Sequence, residues 1–134
     1  MPIDEAGFVA FHIVNAMYSD NIKESILMTN IVKDILSIIR YYYSIDFILE
    51  DLNYDRLLTH LKYFAKRIIE YKQHSLESNS FIDLIKQNYS KEYGCSFKIK
   101  EYIDKKYSYS VNDDELVYLT MHIHRVVESN KLNN

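Results

Sequence analysis

The sequence predicts an all-α bundle, and two observations carry the prediction. Two glycines and one proline in 134 residues are too few for a sheet protein, which needs turn residues at every reversal, whereas long helices need few. Apolar residues also recur every three to four positions over long stretches, which is the spacing of a helix with one buried face.

The elements follow in order. A first helix spans about Asp4 to Tyr18: acidic residues suit its positive end, and Phe8, Ala10, Phe11 and Val14 continue it. After the polar Ser19-Asp20-Asn21, apolar positions return at Ile22, Ile26, Leu27, Ile31, Ile35, Leu36 and Ile39, predicting a long helix that ends near Tyr43. The next stretch, SIDFILEDLN, is rich in β-branched and aromatic residues, but an isolated strand has nothing to pair with, so it reads as a loop. From Leu52 to about Tyr71 a helix places Leu57, Leu61, Phe64, Ala65 and Ile68 on one face. The polar run KQHSLESNS is turn-like, and its His74 reads as exposed.

A short helix from about Ser80 to Tyr89 is expected to turn Phe81, Leu84 and Ile85 inward. Another runs from Ser90 to about Tyr107, with Gly94 costing roughly 1 kcal/mol relative to Ala. Asn112 or Asp113 offers an N-cap for the last helix, which continues to about Asn130. Asp114 and Glu115 sit in its first turn, where acidic residues ordinarily serve the helix dipole.

The two ends of the chain resemble each other. Residues 4–16 read DEAGFVAFHIVNA and residues 114–126 read DELVYLTMHIHRV, which pairs Asp4 with Asp114, Glu5 with Glu115, Phe8 with Tyr118, His12 with His122 and Ile13 with Ile123. A match at fixed offset signals a repeat of one structural unit. The expected organisation is therefore a complete unit over residues 19–134, preceded at 1–18 by the last helix of an earlier unit and a linker.

Composition narrows the function. Acidic residues outnumber basic ones by 19 to 16, for a net charge of −3. No single-sign block is long enough for a phosphate-backbone track, which argues against direct nucleic-acid binding. The lone Cys95 can form no internal disulfide, which suits a reducing compartment. No apolar run approaches the ~18 residues of a membrane span, and the N-terminus lacks the regions of a signal peptide. A soluble cytoplasmic protein is expected. Metal-protease helices, nucleophile elbows, Walker loops and dinucleotide fingerprints are absent, so neither catalytic residues, a metal nor a cofactor is expected.

The histidines remain. On a helical wheel Leu119, Ile123, Val126 and Val127 define the buried arc of the last helix, and His122 lies at its edge, able to pack on the core while keeping a nitrogen accessible. His124 lies about 160° from His122, so the two cannot clasp one metal ion. His124 therefore reads as an ordinary boundary residue. His60 lies beside the arc of its own helix, with Arg56 one turn before it and Arg67 two turns after. Flanking cations discourage protonation of an imidazole and would donate hydrogen bonds to a phosphoryl group placed there. The spacing equally allows solvated arginines beside an edge-of-core histidine.

The strings DEAGFVAFHIVNA, RLLTHLKYFAKRI and DELVYLTMHIHRV together resemble the PTS regulation domains, or PRDs, of sugar-responsive transcriptional antiterminators of the BglG/SacY type. The resemblance runs over essentially the whole chain. It implies a five-helix PRD bundle, here the second PRD, preceded by the last helix of the first. It also implies that His60 and His122 are the phosphoacceptors of the second PRD and His12 the last phosphoacceptor of the first. Arg56 and Arg67 become candidates for stabilising the phosphoryl group.

The family further implies a regulatory, non-enzymatic role. Phosphoryl groups come from the phosphocarrier HPr, or from a sugar-specific enzyme II component of the phosphotransferase system, and alter the arrangement of a homodimer. RNA is contacted only through a separate domain that these residues do not contain. Each phosphoryl group adds roughly −1.5 to −2 charges. Two such groups about 10 Å apart interact by roughly 4 to 7 kcal/mol before screening at an effective dielectric of about 20. Reversing a two-state equilibrium takes about 5.5 kcal/mol, so one or two events suffice for a switch. Two other readings stay open: a PRD of a DNA-binding activator, or an inert helical dimerisation module.

Overall fold

The structure, a computed structural model, describes residues 22–70 and 80–132. The proposed first helix, with His12, and the polar turn with His74 lie outside the described residues. Within them the fold is all-α, with helices α1 (Ile22–Tyr43), α2 (Leu52–Glu70), α3 (Ile82–Asn88), α4 (Ser90–Tyr107) and α5 (Asp113–Leu132). Residues 44–51 of the SIDFILEDLN stretch form a loop between α1 and α2, as expected, and its last two residues begin α2.

Local chemistry sets the ends. α1 closes through Ser44 in the left-handed region (φ 53°), which lets the Ile45 N–H reach back to the Arg40 carbonyl at 3.2 Å and satisfies a carbonyl the helix leaves open. Asp51 caps α2 by accepting from the Asn53 N–H at 3.0 Å. Ser108, also left-handed, ends α4. α5 opens with a capping box: the Asn112 side chain accepts from the Glu115 N–H at 2.9 Å, and the Glu115 carboxylate accepts from the Asn112 N–H at 3.5 Å.

Four helices supply one stripe each to a common core: Ile31, Ile35 and Ile39 from α1, Leu57, Leu61 and Phe64 from α2, Cys95, Ile99 and Ile103 from α4, and Leu119, Ile123 and Val126 from α5. The three- to four-residue spacing within each stripe lets ridges interdigitate. α2 packs against α1 on one side and α5 on the other, and α4 packs against α1 and α5. Gly94 has a reason to be glycine here: a Cβ at that position would lie 2.6 Å from the Tyr42 hydroxyl, so α4 and α1 approach closely. The loop after α1 is tied to the end of α5 by the Asn130 amide donating to the Asp46 carbonyl at 2.8 Å.

One expectation is corrected. In α3 only Ile85 is buried, whereas Phe81 and Leu84 are 62% and 54% exposed. A seven-residue helix presents a single narrow stripe, and the half-buried Ile82 with Ile85 takes it. α1 forms as expected, with Ile26 and Leu27 exposed and burial beginning at Ile31.

Candidate functional site: a stacked histidine pair

The helical stripes that build the core also deliver the site. His60 sits one residue before Leu61 on α2, and His122 one residue before Ile123 on α5; both of those core residues are fully buried. Where α2 and α5 meet, the two half-buried imidazoles stack, with ring centroids 4.8 Å apart and planes at 25°. Phe64 lies nearly parallel to His60 at 6.4 Å, and Tyr118 tilts against it at 5.9 Å. The wheel placed each ring at the edge of its arc. Their meeting required the tertiary fold.

Two clefts open on the pair. One, of about 430 Å³, is lined by His60, Tyr63, Arg67, Tyr109, Glu115 and Tyr118 among others. The second, of about 440 Å³, is lined by both histidines together with Leu52, Asp55, Arg56 and Thr59. His60 is therefore reached from both clefts, and Arg56 faces the one that the two rings share.

The surroundings keep both rings uncharged. Burial, with contributions from His122 and then Arg67, pushes the His60 imidazole down to about 4. Burial also lowers His122, with Arg125 and Arg56 adding to it. Near neutral pH each ring therefore keeps a nitrogen lone pair, the condition for a nucleophile. Among the described residues neither imidazole has a hydrogen-bond partner, and His60 Nε2 and His122 Nδ1 are sealed from solvent.

Arg67 is not the solvated residue that its spacing allowed. Its Nε donates to Glu115 Oε2 at 3.0 Å, and its guanidinium lies 5.9 Å from the Phe64 ring centre. Glu115, only 5% exposed, also accepts from the Tyr109 hydroxyl at 3.2 and 3.3 Å. Burial and the Glu115 charge push Tyr109 up to about 12. The Asp114-Glu115 pair thus divides: Asp114 is exposed at the cleft rim, while Glu115 is a cap, a buried counter-ion and an acceptor at once. The Asn112-x-x-Glu115 pattern was the signal in the sequence for the cap. Nothing local announced the partner on α2.

His124 behaves as the wheel indicated. Its Nδ1 lies 2.7 Å from Glu92 Oε2 on α4, and Tyr89 meets its ring edge-on at 4.7 Å. Among the described residues no three His, Cys, Asp or Glu side chains converge as a metal site, and no helix is long and apolar enough to cross a membrane.

Fold and site together define an all-α domain organised around a neutral histidine pair at a helix seam. The PRD domain family model matches residues 33–126, a stretch containing both His60 and His122, and the chain belongs to that family. It is 41% identical to the transcription antiterminator LicT of Bacillus subtilis (strain 168) over 96% of its length. It is 36% identical over 94% to a beta-glucoside operon antiterminator of Dickeya chrysanthemi, and 30% identical over 95% to protein GlcT of Staphylococcus aureus (strain JH9). The chain covers 46%, 44% and 44% of these three relatives, so it spans a little under half the length of each.

Proposed function

We propose that this chain is the regulatory phosphoacceptor part of a sugar-responsive transcriptional antiterminator, with His60 and His122 taking phosphoryl groups. HPr is the expected donor, with a sugar-specific enzyme II component as a second. The observation that carries the reading is the stacked, uncharged pair at 4.8 Å, open to two clefts that bring arginines to its edge. A neutral imidazole is the form that attacks phosphorus, and neighbouring guanidiniums suit the product.

Residues 19–134 would form the second PRD and residues 1–18 the end of the first, with His12 its last phosphoacceptor. The match to the PRD family falls inside the former stretch. Arg56, which faces the cleft shared by both rings, is the readier phosphate ligand. Arg67 must first loosen from Glu115 or offer its terminal nitrogens. Each phosphoryl group brings roughly −1.5 to −2 charges into a seam built for neutral rings. The α2–α5 contact, and with it the arrangement of a homodimer, are the elements this charge would bias, with the output passing to an RNA-binding domain elsewhere in the protein. The role is regulatory and cytoplasmic, without catalysis. The names of the matched relatives favour the antiterminator over a DNA-binding activator.

The test is incubation with phosphoenolpyruvate, enzyme I and HPr, read by intact mass. The expected result is an acid-labile phosphoryl adduct that His60→Ala and His122→Ala each reduce by one group. An unchanged mass, or adducts indifferent to both substitutions, would reject the reading.

A further inference from the structure

Each ring of the pair has two nitrogens, and the fold treats them unequally. Nε2 of His60 and Nδ1 of His122 are closed to solvent and have no partner. Both side chains are nevertheless only half-buried and border a cleft. By elimination, the nitrogen that each cleft can reach is Nδ1 in His60 and Nε2 in His122. The stacked arrangement produces this: the rings face each other, so a donor can approach only along an edge, and the two helices present opposite edges.

We infer that the histidine pair is phosphorylated with opposite regiochemistry, at Nδ1 of His60 and at Nε2 of His122. This rests on the phosphoacceptor reading above and assigns the reacting atoms. In each transfer the lone pair of the open nitrogen forms the new N–P bond as the donor's P–N bond breaks. The donor nitrogen keeps the electron pair of the broken bond. The acceptor's proton stays on its sealed nitrogen, so the buried side of the ring needs no proton acceptor during the step.

The assignment has a structural consequence. Nδ1 is bonded to the ring carbon that carries Cβ, so a phosphoryl group there stays close to its own helix, where Arg56 lies four residues before His60 and lines the same cleft. Nε2 is the far end of the ring, so the group on His122 projects away from α5 and is the more exposed of the two. The first suits retention within the domain, and the second suits recognition by another surface.

The experiment uses the full 134-residue chain, His60→Ala and His122→Ala. Each is phosphorylated in parallel by HPr with enzyme I and phosphoenolpyruvate, and by phosphoramidate, a small donor that needs no docking surface. After an alkaline quench, the peptides containing residues 60 and 122 are separated and probed with reagents specific for 1-phosphohistidine (Nδ1) or 3-phosphohistidine (Nε2). The expected result is predominantly the 1-isomer at His60 and the 3-isomer at His122 with either donor. The faster hydrolysis of the 1-isomer gives an independent signature in His122→Ala. The opposite isomer at either residue overturns the inference while leaving the phosphoacceptor reading intact. Phosphoramidate failing to mark either residue also overturns it, because the nitrogens would then be closed. The stated isomers with phosphoramidate but no transfer from HPr would uphold the inference and reject HPr as donor.

Discussion

His122 and His124 stand two residues apart on α5 and lead opposite lives. His124 meets a carboxylate at 2.7 Å and a tyrosine edge. His122 meets another imidazole face to face and, among the described residues, no hydrogen-bond partner. Buried polar groups ordinarily find partners, and the exceptions call for an explanation. A histidine given its carboxylate is finished as a structural element, while one denied it keeps a lone pair for chemistry. The half-turn between them is enough for the difference, because one side of α5 faces α2 and the other faces α4.

The strongest way to break this comparison is to ask which histidines carry phosphate. His60→Ala and His122→Ala are expected each to abolish their own site completely, and His124→Ala to leave both sites phosphorylated at the unaltered rate. Peptide mapping after reaction with phosphorylated HPr reads all three. Phosphoryl transfer to His124 in place of His122 would erase the distinction.

The next effect concerns the carboxylate that the pair does not use. Glu115 borders the same cleft as His60 but is engaged by Arg67, so the imidazole is left without a counter-ion. Arg67→Ala strands a carboxylate whose side chain is 7% exposed, and a loss of about 3 kcal/mol in unfolding free energy is expected. Arg67→Ala combined with Glu115→Gln should recover part of that loss, as urea denaturation of the cycle would show. Freed from Arg67, Glu115 also becomes a partner for His60, so the histidine's titration by NMR should move up from about 4. A His60 titration that stays put would mean that burial and His122 set it without Arg67 or Glu115.

Acid offers a third handle. The folded value of His60, about 4, lies below its ordinary 6.5. As pH falls through 6.5 the unfolded chain takes up a proton that the native chain refuses until about 4, so protons favour unfolding in that window. The contribution is fully present above 6.5, is lost as pH falls toward 4, and is level below. With discount for the solvent that reaches the ring, it amounts to about 2 kcal/mol. His60→Gln should therefore be less acid-sensitive than the parent by that amount between the two ends of the window. Parallel stability curves for the two proteins would contradict the assigned depression.

How much of this was legible in the sequence depends on whether the cause was local. The stripes Ile31-Ile35-Ile39 and Leu57-Leu61-Phe64 announce their helices because burial repeats with the helical turn. The same reasoning overreached at Phe81 and Leu84, since an apolar period states what could be buried and not whether a neighbour arrives to bury it. The edge positions of His60 and His122 followed from the wheel, but their assignment as phosphoacceptors came from resemblance to a family and not from spacing. Their stacking, and the engagement of Glu115 by Arg67, join residues of α2 and α5 that are far apart in sequence. Periodicity within one helix carries no information about such pairs. His12, the third expected acceptor, lies outside the described residues.

The smallest effect belongs to the quieter partner in the comparison. His124 and Glu92 are 27% and 15% exposed at the side chain, so their contact is neither a surface ion pair nor a sealed one. His124→Ala removes one hydrogen bond to a carboxylate and the edge contact with Tyr89, and leaves Glu92 to recover through water what it can. The expected cost is about 1 kcal/mol, measured by urea denaturation near neutral pH. Glu92→Gln, which keeps the shape and an acceptor oxygen, should cost less. If His124→Ala proved as costly as Arg67→Ala, the α4–α5 seam would be held by this pair and not by the apolar stripe of Cys95, Ile99 and Ile103 against Leu119 and Ile123. His124 would then be the structural keystone of α5, and the freedom left to His122 would depend on it.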